Sequence, residues 1–181
     1  MSLDLVAFLR EADLSSFPNR GDYSRRYGAL DEYMNKNVHK DVVLGAIATD
    51  GGLLNDHGPD HIQTVMARAG DMLCGCGALA VALTPYEVYL LLCAIHFHDV
   101  GNVYGREGHE QRAPNVMRAV RPLLNNDSTE IQCILKIAHA HGGHNNGDKD
   151  KIGQLQDYPV NGRDVRVRAL AAVLRFADEL A

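Results

Sequence analysis

The chain has 181 residues, enough for one domain with a substantial buried core. Its formal net charge of −5 gives no general attraction for nucleic acid or an anionic membrane, although a local basic groove is compatible with that balance. A 46% hydrophobic share, spread along the chain, argues against disorder. The cysteines Cys74, Cys76, Cys93 and Cys133 lack the two-residue gap of zinc ribbons and thioredoxin-like sites. Cys93 and Cys133 sit in apolar helical runs, so free thiols in a reducing compartment are expected. The amino terminus carries Asp4, Glu11 and Asp13, unlike a signal or transit peptide, and no apolar stretch approaches the roughly 20 residues of a membrane span. The expectation is a soluble, cytoplasmic protein.

Apolar spacing of three to four, with helix punctuation between the runs, predicts an all-α fold without internal repeats. Leu3 to Leu14 spaces as a first helix. The polar connection SSFPNRGDYSRRYG, with Arg20, Arg25 and Arg26, reads as a solvated loop. Ala29 to Ala48 forms a second helix or helix pair, ended by the glycines of TDGGLLNDHG. Pro59 and Asp60 open the next helix, with His61, Val65, Arg68 or Ala69, and Met72 along one face. Thr84 and Pro85 are the cap and first-turn residue of a helix to about His98, stopping at Gly101. Its sequence, YEVYLLLCAIHFH, is apolar nearly all round, which marks the central buried helix.

A further helix starts near His109 and continues through VMRAVRPLL, with Pro114 in its first turn or at a kink. Asp127 and Glu130 are spaced as a capping box for IQCILKIAHAH, which ends at Gly142 and Gly143. HNNGDKDKIGQLQDYPVNG reads as a polar loop. Asp164 then caps a last helix with Val167, Leu170, Ala171, Leu174 and Asp178 on one face. Residues 1–50 are expected to form a helical extension packed on a core of 51–181, the two making one compact unit. The end at ADELA reads either as a cut from a longer protein with further domains or as a minimal domain.

His61 on an apolar helix face, His98 and Asp99 at the end of the central helix, and Asp178 on the stripe of the last helix are four costly placements. A lone core histidine is ordinarily just hydrogen-bonded. An unpaired buried carboxylate, however, costs several kcal/mol, and one divalent cation offsets that cost for all four together. Neighbours on a regular helix point about 100° apart. His98 and Asp99 can share an ion because the chain can unwind at a helix end, as Gly101 suggests.

These residues resemble the H…HD…D signature of the HD-domain superfamily of metal-dependent phosphohydrolases. HIQTV is similar to its first histidine helix, AIHFHDVGN to its second and LRFADEL to its closing aspartate helix, so the resemblance covers roughly His57 to Leu180. It implies a compact all-α HD-domain helical bundle with the ion between central helices. It also implies hydrolysis of a phosphoester of a nucleotide or related small molecule by metal-activated hydroxide. His61, His98, Asp99 and Asp178 are then the metal ligands, with Asp99 catalytic. Many members hold a second ion with extra histidines, here His109 with His141, since His139 would face elsewhere on a helix. His57 and Arg106 are expected to contact substrate, ahead of Arg112 and Arg118. His96 reads as a packed or hydrogen-bonded core histidine and His144 as solvated. One or two divalent ions are implied, Mn²⁺, Fe²⁺ or another transition metal before Mg²⁺.

The sequence departs from several subfamilies: Asn102 stands where an HDxGK lysine would be, and no glycine-tyrosine-proline element follows. Members resembling CRISPR-associated nucleases use additional histidines, but an acidic chain without an aromatic stacking platform makes nucleic acid the less favoured partner. The alternatives are therefore a single-strand nuclease, or a regulatory HD module that binds metal and ligand without turnover. A small-molecule phosphoester is the expected partner, and no membrane.

Overall fold

The computed structural model describes residues 3–39, 59–75, 82–100, 116–142 and 150–181. Six α-helices are named here: α1 (Leu5–Glu11), α2 (Tyr23–Met34), α3 (Pro59–Gly75), α4 (Pro85–Phe97), α5 (Ser128–His139) and α6 (Val167–Glu179). A helical turn at 116–120 precedes α5. The fold is the all-α bundle that the periodicity predicts.

The centre is α4. Thr84 accepts from the Glu87 backbone N–H while the Glu87 carboxylate accepts from the Thr84 backbone, a closed capping box with Pro85 in the first turn. Every residue from Tyr86 to Phe97 is buried. A helix apolar on all sides must be covered on all sides, and α1, α2, α3, α5 and α6 each pack against it. The pairs α3–α6 and α5–α6 also pack on one another, so the carboxyl end of α4 meets α3, α5 and α6 together.

Several local expectations need correction. Arg25 and Arg26 lie in α2, which begins at Tyr23 under an Asp22 cap; Arg26 sits over the Tyr23 ring, its guanidinium 3.9 Å from the buried Glu130 carboxylate. The end of α2 widens into a π-helical turn over Asn35–His39, and the remainder of the expected Ala29–Ala48 helix lies outside the described residues. Asp127 does cap α5, but Glu130 does not reach back to close a box. Its carboxylate is buried and accepts from the Tyr86 hydroxyl instead.

The polar stretch before α6 is not all loop. Tyr158–Val160 (β1) and Arg163–Val165 (β2) pair antiparallel. Between them Asn161 and Gly162 both have positive φ, 51° and 75°, as a tight hairpin turn of right-handed strand twist requires. Asp164 is therefore a strand residue and not the cap of α6. Asp157 takes that role from across the hairpin, accepting from the Arg168 backbone N–H at 3.0 Å.

Candidate metal centre

His61 stands in the first turns of α3, and Asp178 in the last turn of α6. Packing of α3 on α6 brings His61 Nε2 to 3.1 Å from Asp178 Oδ1. His98 and Asp99 follow the last residue of α4 in a turn, and both are buried. His98 Nε2 lies 3.1 Å from Asp99 Oδ2 and 3.4 Å from Asp178 Oδ1, and His61 Nε2 lies 3.7 Å from Asp99 Oδ2. One ligand atom from each of the four residues falls within 4.8 Å of the others, so the group can hold a metal ion.

The hydrogen bonding of His98 selects its ligating nitrogen. Its Nδ1–H donates to the Ile95 carbonyl at 2.6 Å, which leaves Nε2 to present a lone pair in the neutral ring. This buried Nε2 makes no aligned hydrogen bond, although two carboxylates lie close. Buried polar atoms are ordinarily satisfied. A ring nitrogen directed between two carboxylates, and bonded to neither, suits coordination better than a hydrogen-bond network, so these four residues fit a divalent cation. Burial opposes a charge on His98, but the facing Asp178 and Asp99 outweigh it and push its pKa up to about 10. Burial would raise the Asp178 carboxyl, yet contact with His61 and His98 lowers it well below the usual carboxylate range. Both shifts express a demand for positive charge between the carboxylates.

The model that describes the HD-CE family matches residues 48–181. The chain belongs to the HD-CE family. The family is HD-domain-like, and the matched span contains all four clustered residues. No curated protein and no solved structure matches the chain.

Among the described residues, His141 is the expected histidine that reaches this HD-CE centre. His141, just past the end of α5, has its Nε2 3.6 Å from Asp99 Oδ1 and its ring 5.0 Å from that of His98. Its Nδ1–H donates to the Ala138 carbonyl at 2.6 Å, repeating the His98 arrangement. The Asp99 carboxylate thus faces His98 and His61 with Oδ2 and His141 with Oδ1. His139 points elsewhere, toward Lys151. His57, Arg106, His109, Arg112 and His144 lie outside the described residues, as does Gly101. Arg118 is exposed.

His96 is fully buried, as its apolar setting predicts, but its partners were not foreseen. Its Nδ1 lies 2.9 Å from His39 Nε2, and its Nε2 lies 3.2 Å from Asp31 Oδ1 and 3.3 Å from the Tyr27 hydroxyl. Contact with His96 lowers the Asp31 carboxyl, whereas burial and the charges of His96 and His98 depress His39 to about 3. Both ring nitrogens of His96 are therefore engaged, Nε2 by the Asp31 carboxylate and Nδ1 by His39. This chain ties the π-helical turn of α2 to the end of α4, two residues before His98. His39 precedes the HD-CE match, and no spacing rule links Asp31 and His39 to His96; only the irregular π turn, a frequent companion of functional sites, could have drawn attention to it.

Proposed function

We propose that this HD-CE domain is a metal-dependent phosphohydrolase that cleaves a phosphoester of a nucleotide or related small molecule. The observation that carries the proposal is the buried His98 Nε2, oriented by the Nδ1–H bond to the Ile95 carbonyl and directed between Asp99 and Asp178. His61, His98, Asp99 and Asp178 would hold a first ion. Asp99 Oδ1 and His141, with His109, would serve a second. A divalent ion held there supplies Lewis acidity toward a phosphoryl oxygen and lowers the pKa of water toward neutrality. A transition ion such as Mn²⁺ or Fe²⁺ suits this mixture of imidazole and carboxylate, and Mg²⁺ is the less suited alternative.

The residues' own contributions follow from their placement. Carbonyl contacts from Ile95 and Ala138 lock the two imidazoles, so neither ring must reorganise when ligand binds. Asp99, anchored immediately after a rigid buried helix, would orient the attacking water. Arg106, close in sequence to His109, and His57, four residues before His61, are the proposed substrate contacts. No helix among the described residues is long and apolar enough to cross a membrane, and Cys74, Cys93 and Cys133 are free thiols, which supports a reducing, cytoplasmic setting. The test combines metal analysis with a metal-supplemented screen against nucleotides, cyclic nucleotides, a generic phosphodiester and single-stranded DNA. Turnover that is lost in Asp99→Ala is the expected result. Turnover unchanged in that variant would sink the mechanism, and stoichiometric metal without any turnover would favour a binding module.

A further inference from the structure

The last turn of α4 is gripped from two sides. His98 keeps helical backbone angles, φ −62° and ψ −39°, so its side chain and that of His96 leave the helix about 200° apart. His98 faces Asp99 and Asp178. His96 faces the opposite way, toward Asp31, Tyr27 and His39, all of which precede the HD-CE match. The carbonyl that fixes the His98 ring belongs to Ile95, in the same turn. Non-directional apolar contacts cover the shaft of α4, whereas the contacts of His96 are directional. A clamp on His96 therefore sets the rotation of the turn that supplies His98, its carbonyl anchor and, next in the chain, Asp99.

The other half of the clamp depends on an irregular helix. On a regular one, eight residues would carry His39 about 80° round from Asp31. The chain instead widens into the π turn at Asn35–His39, and the slower rotation of an i→i+5 turn brings His39 back toward the face of Asp31. Asn35, the first residue of that turn, donates from Nδ2 at 2.9 Å to the same Asp31 oxygen that faces His96. His39 is 2% exposed and stacks on His96, with ring centroids 5.2 Å apart and planes 19° from parallel. A rare local geometry thus delivers two groups to one ring.

We infer that Asp31 and His39 are positioning residues of the metal centre: by clamping His96 they fix the orientation in which His98 and Asp99 meet His61 and Asp178. The segment before the HD-CE match is then a working part of the site. This rests on the metal centre of the proposed function and not on its phosphoester chemistry. A purely structural clamp would affect stability and leave metal affinity untouched.

Calorimetric titration of Mn²⁺ gives the affinity, and the visible spectrum of the Co²⁺ form reports ligand geometry. Asp31→Ala and His39→Ala should each weaken Mn²⁺ binding about threefold to tenfold, less than the 10–100-fold of a direct outer-shell partner, and shift the Co²⁺ bands. His39→Gln, whose amide can bond His96, should restore most of both. Asn37→Ala, a control in the same turn whose side chain bonds the Tyr33 carbonyl, should match the wild type. Wild-type Mn²⁺ affinity in either folded alanine variant at Asp31 or His39 overturns the inference, whether or not the melting temperature falls. If neither folds, hydrogen exchange of the wild type decides. An ion that gains from the clamp must stabilise it in return, so Mn²⁺ should slow amide exchange across Asn35–His39 severalfold more than across α1, and equal slowing rejects the inference. A wild type that binds no Mn²⁺ overturns the metal centre and the positioning role together. Mn²⁺ binding that depends on His39, without hydrolysis of any ester, would defeat the proposed function and leave the positioning role standing.

Discussion

The two ends of α4 both bury charge, and they treat it in opposite ways. At the amino end, Glu87 is 1% exposed. One of its oxygens accepts from the Arg166 backbone N–H and Nε, and the other from the Thr84 N–H, the Thr84 hydroxyl and Arg166 Nη2. Burial would raise its carboxyl, yet these donors lower it, so the acid is ionised and fully engaged. At the carboxyl end, Asp99 and Asp178 face two imidazoles, and His98 Nε2 is left without an aligned bond. A buried acid whose lone pairs are filled by the protein is structural. A buried acid beside a preset, unsatisfied nitrogen is arranged for something the chain must bind.

Breaking each end should therefore give different phenotypes. The largest effect is expected from Asp99→Ala, which should weaken metal binding at least about 100-fold, since loss of even an outer-shell partner costs 10–100-fold; calorimetric titration of Mn²⁺ checks this. Arg166→Met should instead cost about 3 kcal/mol in denaturant unfolding, because it strands the Glu87 carboxylate in the interior, while leaving metal affinity unchanged. A loss of metal binding in that variant would erase the distinction between the two ends.

The pH response should separate them further. The folded His98 pKa of about 10 lies above its ordinary 6.5, so its contribution to metal-free stability is complete below about pH 6.5 and declines as pH rises toward 10. Metal binding must displace that proton, so Mn²⁺ affinity should rise over the same window. Melting curves with and without metal should consequently diverge with increasing pH. The smallest effect is expected midway along the core, at Glu130. Burial raises its pKa, and one of its oxygens lacks a hydrogen-bond partner. A raised carboxyl contributes stability that is lost as pH climbs through the folded pKa. Glu130→Gln, which keeps an acceptor for Tyr86, should stabilise by about 1 kcal/mol at pH 7–8 and less near pH 4.

Much of this was legible in the chain itself because it is local or periodic. The limits of α4 follow from Thr84, Pro85 and an apolar run, and the stripe of α6 places Asp178 beside Leu174 without reference to any other segment. The hairpin was legible too, through Asn161 and Gly162, but the polar character of the surrounding stretch concealed it. The roles of Asp157, Glu130 and Arg26 were not readable, since each depends on a partner far away in sequence: Arg168 across the hairpin, Tyr86 on α4 and Glu130 on α5. Asp164 misled for the complementary reason. It has the right residue type and spacing for a cap, but the hairpin takes its backbone into a strand.

By itself, the sequence determined the all-α class, the limits and buried position of α4, the stripe of α6 and the set of polar residues costly to place in a core, because those depend on composition and spacing along one chain. Tertiary structure decided what that set does. Only the packing of α3 and α6 at the end of α4 makes His61, His98, Asp99 and Asp178 one group. Only the three-dimensional path of α5 assigns His141 to Asp99 and His139 to Lys151. The physical reason is range: a cap or an apolar stripe acts within a few residues, whereas coordination and charge pairing depend on distances of a few ångströms between atoms up to 117 residues apart.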